Sequence, residues 1–275
     1  MFSTIILGAG KSTRMKANKS KLLFDIAGKP IITHIIEAVR QAKCSEIICV
    51  VNRESKDLIQ LLKDHKVNIA FQKKSNGTAG AAEAGNKIIS SKNKKVLILC
   101  GDAPFITTQS IKCMIKKISN ADACVGTVEL DIPKGYGRII RKGNKMSEIV
   151  EERDSTIAQR SIREVNTGVI SIHSSILSQF ISHIKNNNAK KEFYLTDIIK
   201  ILINKKYKIN TFKFNDDLEV AGVNSKVDLV NLEKKYLRRK AERLLEAGTL
   251  VRDPSKTDIR GDLKVKKNVE IDINC

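Results

Sequence analysis

The sequence predicts an α/β fold in which helices cover a Rossmann-like, mixed and mainly parallel sheet. Short runs of β-branched and other apolar residues alternate with segments of helical periodicity through the first half of the chain. With 275 residues and 41% apolar content, the chain is long enough to bury a substantial core. Sheets built by such alternation bind ligands at the carboxyl ends of their strands, so functional residues are expected directly after strands.

Five strands are predicted in this half of the chain, at residues 4–7, 46–51, 67–71, 95–100 and 123–129. Pro30 opens a segment whose isoleucines recur at helical spacing, so the first helix is predicted with proline in its first turn. Further helices are predicted near residues 56–64, 78–89 and 110–118.

Beyond Gly135 the pattern changes to strands that look antiparallel, a helix at 194–204, a strand at 208–214 and one long helix. A capping signal starts the long helix, where Ser225 precedes Asp228 by three residues, and Gly248 ends it. Its length of about 22 residues corresponds to roughly 33 Å. We expect this helix to be a spacer outside the sheet core, which divides the chain into 1–224, 225–248 and 249–275.

The formal charge of +20 raises the question of a nucleic-acid partner. The lysines are spread over every segment, and only 4% of the residues are aromatic, which leaves few side chains on which bases could stack. We therefore expect no nucleic-acid partner, and we expect the charge to attract phosphorylated substrates.

The sequence contains neither a secretory signal nor an apolar run of membrane-spanning length. Its six cysteines form no C-x-x-C pair and lie mostly in apolar runs, as buried free thiols do in a reducing compartment. The protein is expected to be cytoplasmic, with no membrane partner, no disulfide and no zinc.

The stretch GAGKSTRM, residues 8–15, looks like two phosphate-binding signatures and satisfies neither. A P-loop requires a glycine where Ile5 stands, and a dinucleotide fingerprint requires one where Thr13 stands. What remains is an apolar strand that runs into glycines and then into five basic residues, Lys11, Arg14, Lys16, Lys19 and Lys21. Such a loop suits a polyphosphate.

Four loops fall where this fold would place a site: residues 8–21, 72–81, 100–104 and 221–224. Asp102 follows the apolar run VLILC and is a candidate metal ligand, although an Asp before Ala-Pro at a strand end is also typical of turns and helix caps. Asn224 could equally begin a turn. Arg14 and Lys21 would, singly, be ordinary surface charges.

Taken in order, these loops resemble one family. GAGKSTRM and KSKLL resemble the glycine-rich and lysine elements of the sugar-phosphate nucleotidyltransferases. GTAGA, CGDAP, GYGRI, EIVEERD, EVNTGV, EFYLTDII and EVAGVN resemble, in sequence and spacing, the uridylyltransferase half of the bacterial bifunctional N-acetylglucosamine-1-phosphate uridylyltransferase and glucosamine-1-phosphate acetyltransferase. The resemblance covers the whole chain and implies a sheet of the nucleotide-diphospho-sugar transferase type.

The reaction implied by the resemblance is attack of a sugar-1-phosphate oxygen on the α-phosphorus of UTP, with release of pyrophosphate. Arg14 and Lys21 match the family's phosphate-binding cations, and Asp102 and Asn224 match its Mg²⁺ ligands. Hard oxygen donors are what Mg²⁺ prefers. The residues that match the nucleotide-binding elements are Leu7, Gly8, Ala9, Gly10, Gln72, Gly77 and Thr78. Those that match the N-acetylglucosamine site are Gly137, Glu151, Asn166 and Thr167.

The sequence departs from the family pattern at a few positions. Ser12 replaces a loop glycine, Ser20 stands where proline is common, and Cys100 replaces a frequent tyrosine. Gly80 stands where histidine is frequent, which argues against a general base there. No general base is expected in this reaction, because the phosphate oxygen that acts as the nucleophile is already ionised.

The family's second half is a left-handed parallel β-helix that holds the trimer and the acetyl-CoA site. Residues 249–275 match only the entrance to that β-helix, so they are expected to form a stub. Acetyl transfer is not expected of this chain, and an oligomer formed through the C-terminal region would be weakened.

Two rival interpretations remain at this point. One keeps the fold but changes the substrate, to glucose 1-phosphate with UTP or to a CTP-dependent transfer. The other is a binding or regulatory module without turnover, or a basic nucleic-acid binder. Loss of Arg14, Lys21, Asp102 or Asn224 would favour the second, and the sequence retains them all.

Overall fold

The computed structural model describes residues 1–10, 12–73, 76–90 and 94–275. Its strands are β1 (Ser3–Leu7), β2 (Asp25–Ile26), β3 (Lys29–Pro30), β4 (Glu46–Val51), β5 (Asn68–Phe71), β6 (Lys95–Cys100), β7 (Ala123–Glu129), β8 (Arg138–Lys142), β9 (Lys145–Val150), β10 (Glu164–His173), β11 (Ile209–Lys213), β12 (Leu250–Val251) and β13 (Glu270–Ile271). Its helices are α1 (Ile31–Gln41), α2 (Lys56–Asp64), α3 (Thr78–Asn86), α4 (Thr108–Lys117), α5 (Ile157–Arg160), α6 (Ser174–Phe180), α7 (Asp197–Asn204) and α8 (Lys226–Glu246).

A nine-stranded sheet forms the centre of the described structure, in the order β11-β7-β10-β6-β1-β4-β5, with the β8–β9 hairpin attached to β10. β1 pairs in parallel with β4 and β6, and β4 pairs in parallel with β5. β10 is antiparallel to both β6 and β7, whereas β11 is again parallel to β7. The predicted mixed, mainly parallel α/β sheet is therefore confirmed.

Both faces of the sheet are buried. Adjacent residues of one strand enter different apolar clusters, as Ile5 and Ile6 do in β1, and both are fully buried. α1, α2 and α4 contribute to the cluster that contains Ile6, and α3, α6 and α7 contribute to the cluster that contains Ile5. Burial on both faces explains why these strands read as continuous apolar runs in the sequence.

The five strands predicted in the first half agree with the structure to within one residue at each end. The helix boundaries differ more. Pro30 belongs to β3 and caps α1 instead of lying in its first turn. α7 begins at Asp197, three residues later than predicted, because the preceding segment is held by the start of α3: Leu195 donates its N–H to Thr78 Oγ1 at 2.9 Å.

The long helix α8 begins as predicted, with Ser225 and Asp228 forming a reciprocal capping box. It is not separate from the sheet core, and that expectation is wrong. Leu232 is 6% exposed and belongs to the same cluster as Ile6, and the ring of Tyr236 stacks on Phe105 with centroids 3.8 Å apart. α8 is thus fixed along the body of the protein.

After α8 the chain forms a short parallel pair, in which Leu250 and Val251 of β12 lie beside Glu270 and Ile271 of β13. Val251 and Ile259 pack on Ala241 of α8 in a small apolar cluster. That this segment begins a left-handed β-helix stays a prediction. None of the described helices is long and apolar enough to cross a membrane.

Candidate active site

A cleft of about 810 Å³ opens at the carboxyl ends of β1 and β6, where Leu7 and Cys100 are neighbours in the sheet. The position is the one expected for a ligand site in a sheet of this type. Nine of the residues predicted from the sequence line it: Leu7, Arg14, Thr78, Asp102, Gly137, Glu151, Asn166, Thr167 and Asn224.

Three loops that are far apart in sequence meet in this cleft. The Lys21 ammonium forms an ion pair with Asp102, and its Nζ also lies 3.0 Å from Asn224 Oδ1. Arg14 Nη2 donates to the same Asn224 oxygen at 2.9 Å. Lys21 and Asp102 are only 15% and 21% exposed, so their charges are partly shielded from water. The four residues predicted to act on phosphates and metal therefore form one connected group.

The loop after β1 is anchored by its apolar residues and oriented by its serines. Met15 and Leu22 are buried in the core. Ser12 Oγ accepts the N–H of Lys21 at 3.0 Å, and Ser20 accepts that of Leu22 at 3.4 Å, which starts a short 3-10 turn. The serines that depart from the family pattern thus help to place Lys21, whereas Lys11 lies outside the described residues.

The loops that carry Asp102 and Asn224 are bonded to each other and to the sheet. Gly101 donates its N–H to Leu7 O at 3.0 Å, and Val223 donates to Asp102 O at 2.9 Å. These backbone bonds fix the distance between the two loops independently of the side chains.

The nucleotide half of the predicted site is built around a glycine. Gly77 has φ +113°, and a Cβ there would lie 2.4 Å from the carbonyl oxygen of Phe193, so only glycine fits. Gln72 Nε2 donates to Gly77 O at 3.0 Å. Residues 74 and 75 of the predicted loop 72–81 lie outside the described residues.

The segment Leu7–Gly10 runs on from β1, whose last residue Leu7 lines the cleft, and it is held by the end of β4 and the residue that follows it. Gly8 donates its N–H to Val50 O at 2.8 Å, and Ala9 O accepts from Asn52 Nδ2 at 2.7 Å. Asn52 was not predicted, and a polar residue directly after a buried strand was the available signal.

The part of the cleft that the resemblance assigns to the sugar, called the sugar half below, includes a bulge in β10. Pairing with β7 shifts between Asn166 and Ile170, where Gly168 has φ +76°. Asn166 donates its N–H to Gly137 O at 2.8 Å, which joins two predicted residues. The Thr167 hydroxyl donates to Gly126 O at 2.9 Å, so this side chain supports the bulge.

Glu151 brings a carboxyl group into the sugar half. Its Oε1 accepts a hydrogen bond from Thr196 Oγ1 at 3.3 Å. Burial raises the pKa of Glu151, while the Thr196 bond and the charge of Lys190 act in the opposite direction. The Glu151 carboxyl group is therefore a hydrogen-bond acceptor in a largely buried position, where its charged form is destabilised by the loss of hydration.

Known proteins resemble this chain in sequence. The family described as "MobA-like NTP transferase domain" matches residues 4–139. The chain is 38% identical over 271 residues to the bifunctional protein GlmU of Methylobacillus flagellatus, covering 98% of this chain and 58% of the relative. It is 36% identical over 273 residues to the GlmU of Pseudoalteromonas atlantica, covering 99% and 60%. Residues 4–139 therefore contain an NTP transferase domain.

Solved structures show the same fold at low sequence identity. A UDP-glucose pyrophosphorylase complexed with UDP-glucose superposes with a TM-score of 0.69 at 18% identity, over 87% of this chain and 99% of the other. A protein of Bacillus anthracis described as a glucose-1-phosphate thymidylyltransferase, in complex with a sucrose, gives 0.68 at 19% identity, over 85% and 94%. The family resemblance found in the sequence is confirmed, and this nucleotidyltransferase spans 58–60% of the length of the curated relatives reported above.

The donor set of the nucleotidyltransferase fits Mg²⁺. Asp102 and Asn224 each direct an oxygen at the Lys21 ammonium. The two oxygens therefore lie close enough together to bind one positively charged group. Carboxylate and amide oxygens are suitable Mg²⁺ donors, and phosphates and water complete its octahedron. Among the described residues no group of three or more His, Cys, Asp or Glu forms a metal cluster.

Several residues of the cleft were missed as individual site residues. Tyr194 and Thr196 lie within the EFYLTDII motif, and Tyr136 within GYGRI. Burial raises the pKa of Tyr194 to about 12, and burial and the Asp102 charge raise that of Tyr136, so both keep their protons. Cys100 also lines the cleft, and burial raises the pKa of its thiol to about 12, which makes it a poor nucleophile.

Proposed function

We propose that this nucleotidyltransferase transfers UMP from UTP to N-acetylglucosamine 1-phosphate in the presence of Mg²⁺, giving UDP-N-acetylglucosamine and pyrophosphate. The observation that carries the proposal is the contact of Lys21 with Asp102 and Asn224, which line the same cleft as Glu151 and Asn166. The product would serve the synthesis of cell-envelope precursors such as peptidoglycan and lipopolysaccharide, in the cytoplasm.

The phosphate half of the cleft suits an in-line displacement. An oxygen of the sugar phosphate forms a bond to the α-phosphorus of UTP, and the bond from that phosphorus to pyrophosphate breaks. Arg14 and Lys21 offer two cations on one side of Asn224, where they hold and align the polyphosphate. When bound by Asp102 and Asn224, Mg²⁺ would neutralise charge on the reacting phosphates.

The remaining residues provide recognition. The backbone of Leu7 to Gly10, with Gln72, Gly77 and Thr78, would hold the uridine. Glu151 and Asn166 offer hydrogen-bond acceptors and an amide to a sugar with hydroxyl and acetamido groups. Gly137 leaves room beside them, because a Cβ there would lie 3.3 Å from Glu151 Oε1.

The alternative is a nucleotidyltransferase of the same fold that uses another sugar phosphate or nucleotide. The related UDP-glucose pyrophosphorylase shows that this fold also binds UDP-glucose. The motifs EVNTGV and EFYLTD favour the first proposal, because they resemble the N-acetylglucosamine enzymes and line the sugar half.

A substrate panel tests the proposal. Pyrophosphate release is measured with UTP, CTP, ATP, GTP and dTTP, each against N-acetylglucosamine 1-phosphate, glucose 1-phosphate and glucosamine 1-phosphate, with Mg²⁺ and with excess EDTA. We expect UTP with N-acetylglucosamine 1-phosphate to give the highest kcat/KM and EDTA to abolish release. A higher kcat/KM for another pair would support the alternative, and full activity in EDTA would contradict the metal assignment.

A further inference from the structure

We infer that Asp228 is a positioning residue for Asn224, besides being the cap of α8. The inference rests on the proposed role of Asn224 as a metal ligand. The sequence identified Asp228 only as half of a capping box, yet in the structure its side chain also lines the cleft.

The carboxylate of Asp228 makes one bond more than a cap requires. In a capping box, the residue at the third helical position accepts the N–H of the cap residue. Asp228 Oδ2 does accept the N–H of Ser225 at 2.9 Å, but it also accepts that of Asn224 at 3.1 Å. The second bond lies outside the helix and acts on the candidate metal ligand.

Asn224 is held between two acidic residues. The residue before it, Val223, donates its N–H to the carbonyl of Asp102 at 2.9 Å, and Asn224 itself donates to Asp228. With its backbone fixed in this way, the Asn224 side chain presents Oδ1 to Arg14 and Lys21. Residues that orient a metal ligand typically change metal affinity or activity by about 10- to 100-fold when removed.

The two halves of the capping box can be tested separately. Ser225 Oγ accepts the N–H of Asp228 at 3.1 Å, and this bond serves the helix alone. Ser225→Ala therefore removes the hydroxyl half of the capping box and leaves the bond to Asn224. Asp228→Ala keeps the hydroxyl half but removes the carboxylate, which accepts the N–H groups of both Ser225 and Asn224. Asp228→Asn keeps an acceptor oxygen but loses the charge, and it serves as the conservative variant.

The experiment compares the three variants with the wild type by thermal unfolding, by the Mg²⁺ concentration that gives half-maximal pyrophosphate release, and by Mn²⁺ binding in the presence of UTP, followed by electron paramagnetic resonance. We expect Ser225→Ala and Asp228→Ala to lower Tm by similar amounts, about a few degrees, because each removes half of the capping box. Only Asp228→Ala should raise the Mg²⁺ requirement and the Mn²⁺ Kd, by about 10-fold, with Asp228→Asn raising both by about 3-fold.

Equal effects of Ser225→Ala and Asp228→Ala on metal binding, or none from either, would overturn the inference and leave Asp228 as a helix cap. If Asp228→Ala does not fold, Asp228→Asn decides, and metal binding within 1.5-fold, or about the assay error, of the wild type contradicts the inference. Asp102→Asn serves as the reference. If it does not change the Mn²⁺ Kd, the proposed metal site itself is wrong, which is a different failure.

Discussion

Asp102 pairs with Lys21 in a partly shielded cleft, and its carboxylate has no role in the apolar core. A substitution there can therefore remove chemistry without removing the fold. The neutral but nearly isosteric Asp102→Asn keeps the shape of the side chain and removes the charge that the proposed metal and Lys21 need.

We expect Asp102→Asn to lower kcat by about 100- to 1,000-fold, since charge stabilisation at a reacting phosphate is worth several kcal/mol. Tm should change by no more than about 2 °C. Steady-state pyrophosphate release and differential scanning fluorimetry provide the two measurements. Asp131→Asn is the control, because Asp131 is 88% exposed and its partner Arg163 lies on the surface. Near wild-type turnover in Asp102→Asn would refute its assignment.

Glu151 is a largely buried carboxyl group that costs stability. Its pKa in the folded protein is raised by burial above the ordinary value of 4.5. The folded state therefore binds the proton more tightly than the unfolded state, and stability falls as the pH rises from about 4.5 through the folded pKa.

Glu151→Gln should accordingly be more stable than the wild type at pH 7, and the difference should vanish towards pH 4. Glutamine can still accept the Thr196 hydroxyl bond, so packing is kept. Unfolding by urea at several pH values measures the difference. A variant less stable than the wild type at pH 7 would mean that Lys190 and Thr196 outweigh the cost of burial.

At the scale of elements, the loops around the β8–β9 hairpin are joined by one buried cation. Arg138 is 2% exposed and donates to the carbonyls of Tyr136 and Arg160, besides contacting Glu152. These bonds bring together the chain on either side of Gly137 and Glu151. Arg138 therefore supports the part of the cleft that Gly137 and Glu151 line.

Arg138→Met should lower the free energy of unfolding by about 3 kcal/mol, because it removes a buried donor from the carbonyls of Tyr136 and Arg160 and from the Glu152 carboxylate. Arg163→Met provides the control, since the Arg163–Asp131 pair is more than half exposed and should be worth less than about 1 kcal/mol. Urea denaturation of both variants makes the comparison. Equal losses would show that burial is not what makes Arg138 important.

Packing of α8 on the body can be measured in the same way. Leu232→Ala should cost about 3 kcal/mol, because Leu232 is 6% exposed in the main core. Val230→Ala lies on the same helix at 48% exposure and should cost less than about 0.5 kcal/mol. If Leu232→Ala costs no more than Val230→Ala, the packing of α8 on the core contributes little to stability, as expected for the spacer that the sequence predicted.

The elements that could be predicted are those whose formation depends on residues close together in the sequence. β1, β4 and β6 are apolar because both faces of the sheet are covered, and the box at Ser225 is a short-range pattern. The start of α7 was not predictable, since Leu195 belongs to the apolar pattern but is bonded to Thr78, 117 residues earlier. Likewise, the place of β10 between β6 and β7 has no local cause in the sequence.

At the scale of the whole molecule, the same distinction applies to the site. The order of motifs predicted which side chains share the cleft, and nine of those residues line it. The supporting bonds, such as Asn52 to Ala9 and Asp228 to Asn224, depend on backbone geometry between distant loops and leave no sequence pattern. Functional residues were expected directly after strands, yet Asn166 lies within β10. Because β10 is antiparallel to β6 and β7, its first residues lie at the edge of the sheet where those two strands end.

The net charge of +20 provides a test that involves the whole surface. A positive field speeds the arrival of an anionic nucleotide, and salt screens it over about 8 Å at 0.15 M. We expect kcat/KM for UTP to fall by about 3- to 10-fold between about 20 and 200 mM NaCl, while kcat changes by less than about 2-fold. Glycine betaine at the same osmolarity is the control and should leave both unchanged. A salt-independent kcat/KM would mean that the charge does not act on the substrate.

The position of β7 in the sheet also constrains how the protein is made. Among the described strands, β7 pairs only with β10 and β11, which both follow it in the chain. As the chain leaves the ribosome, residues 123–129 therefore have no partner until residue 173 has been added, although almost all of them are buried in the finished protein. An apolar strand with open edges is prone to pair with other chains. The nascent protein is thus most vulnerable to aggregation while the sugar half of its cleft is still being synthesised.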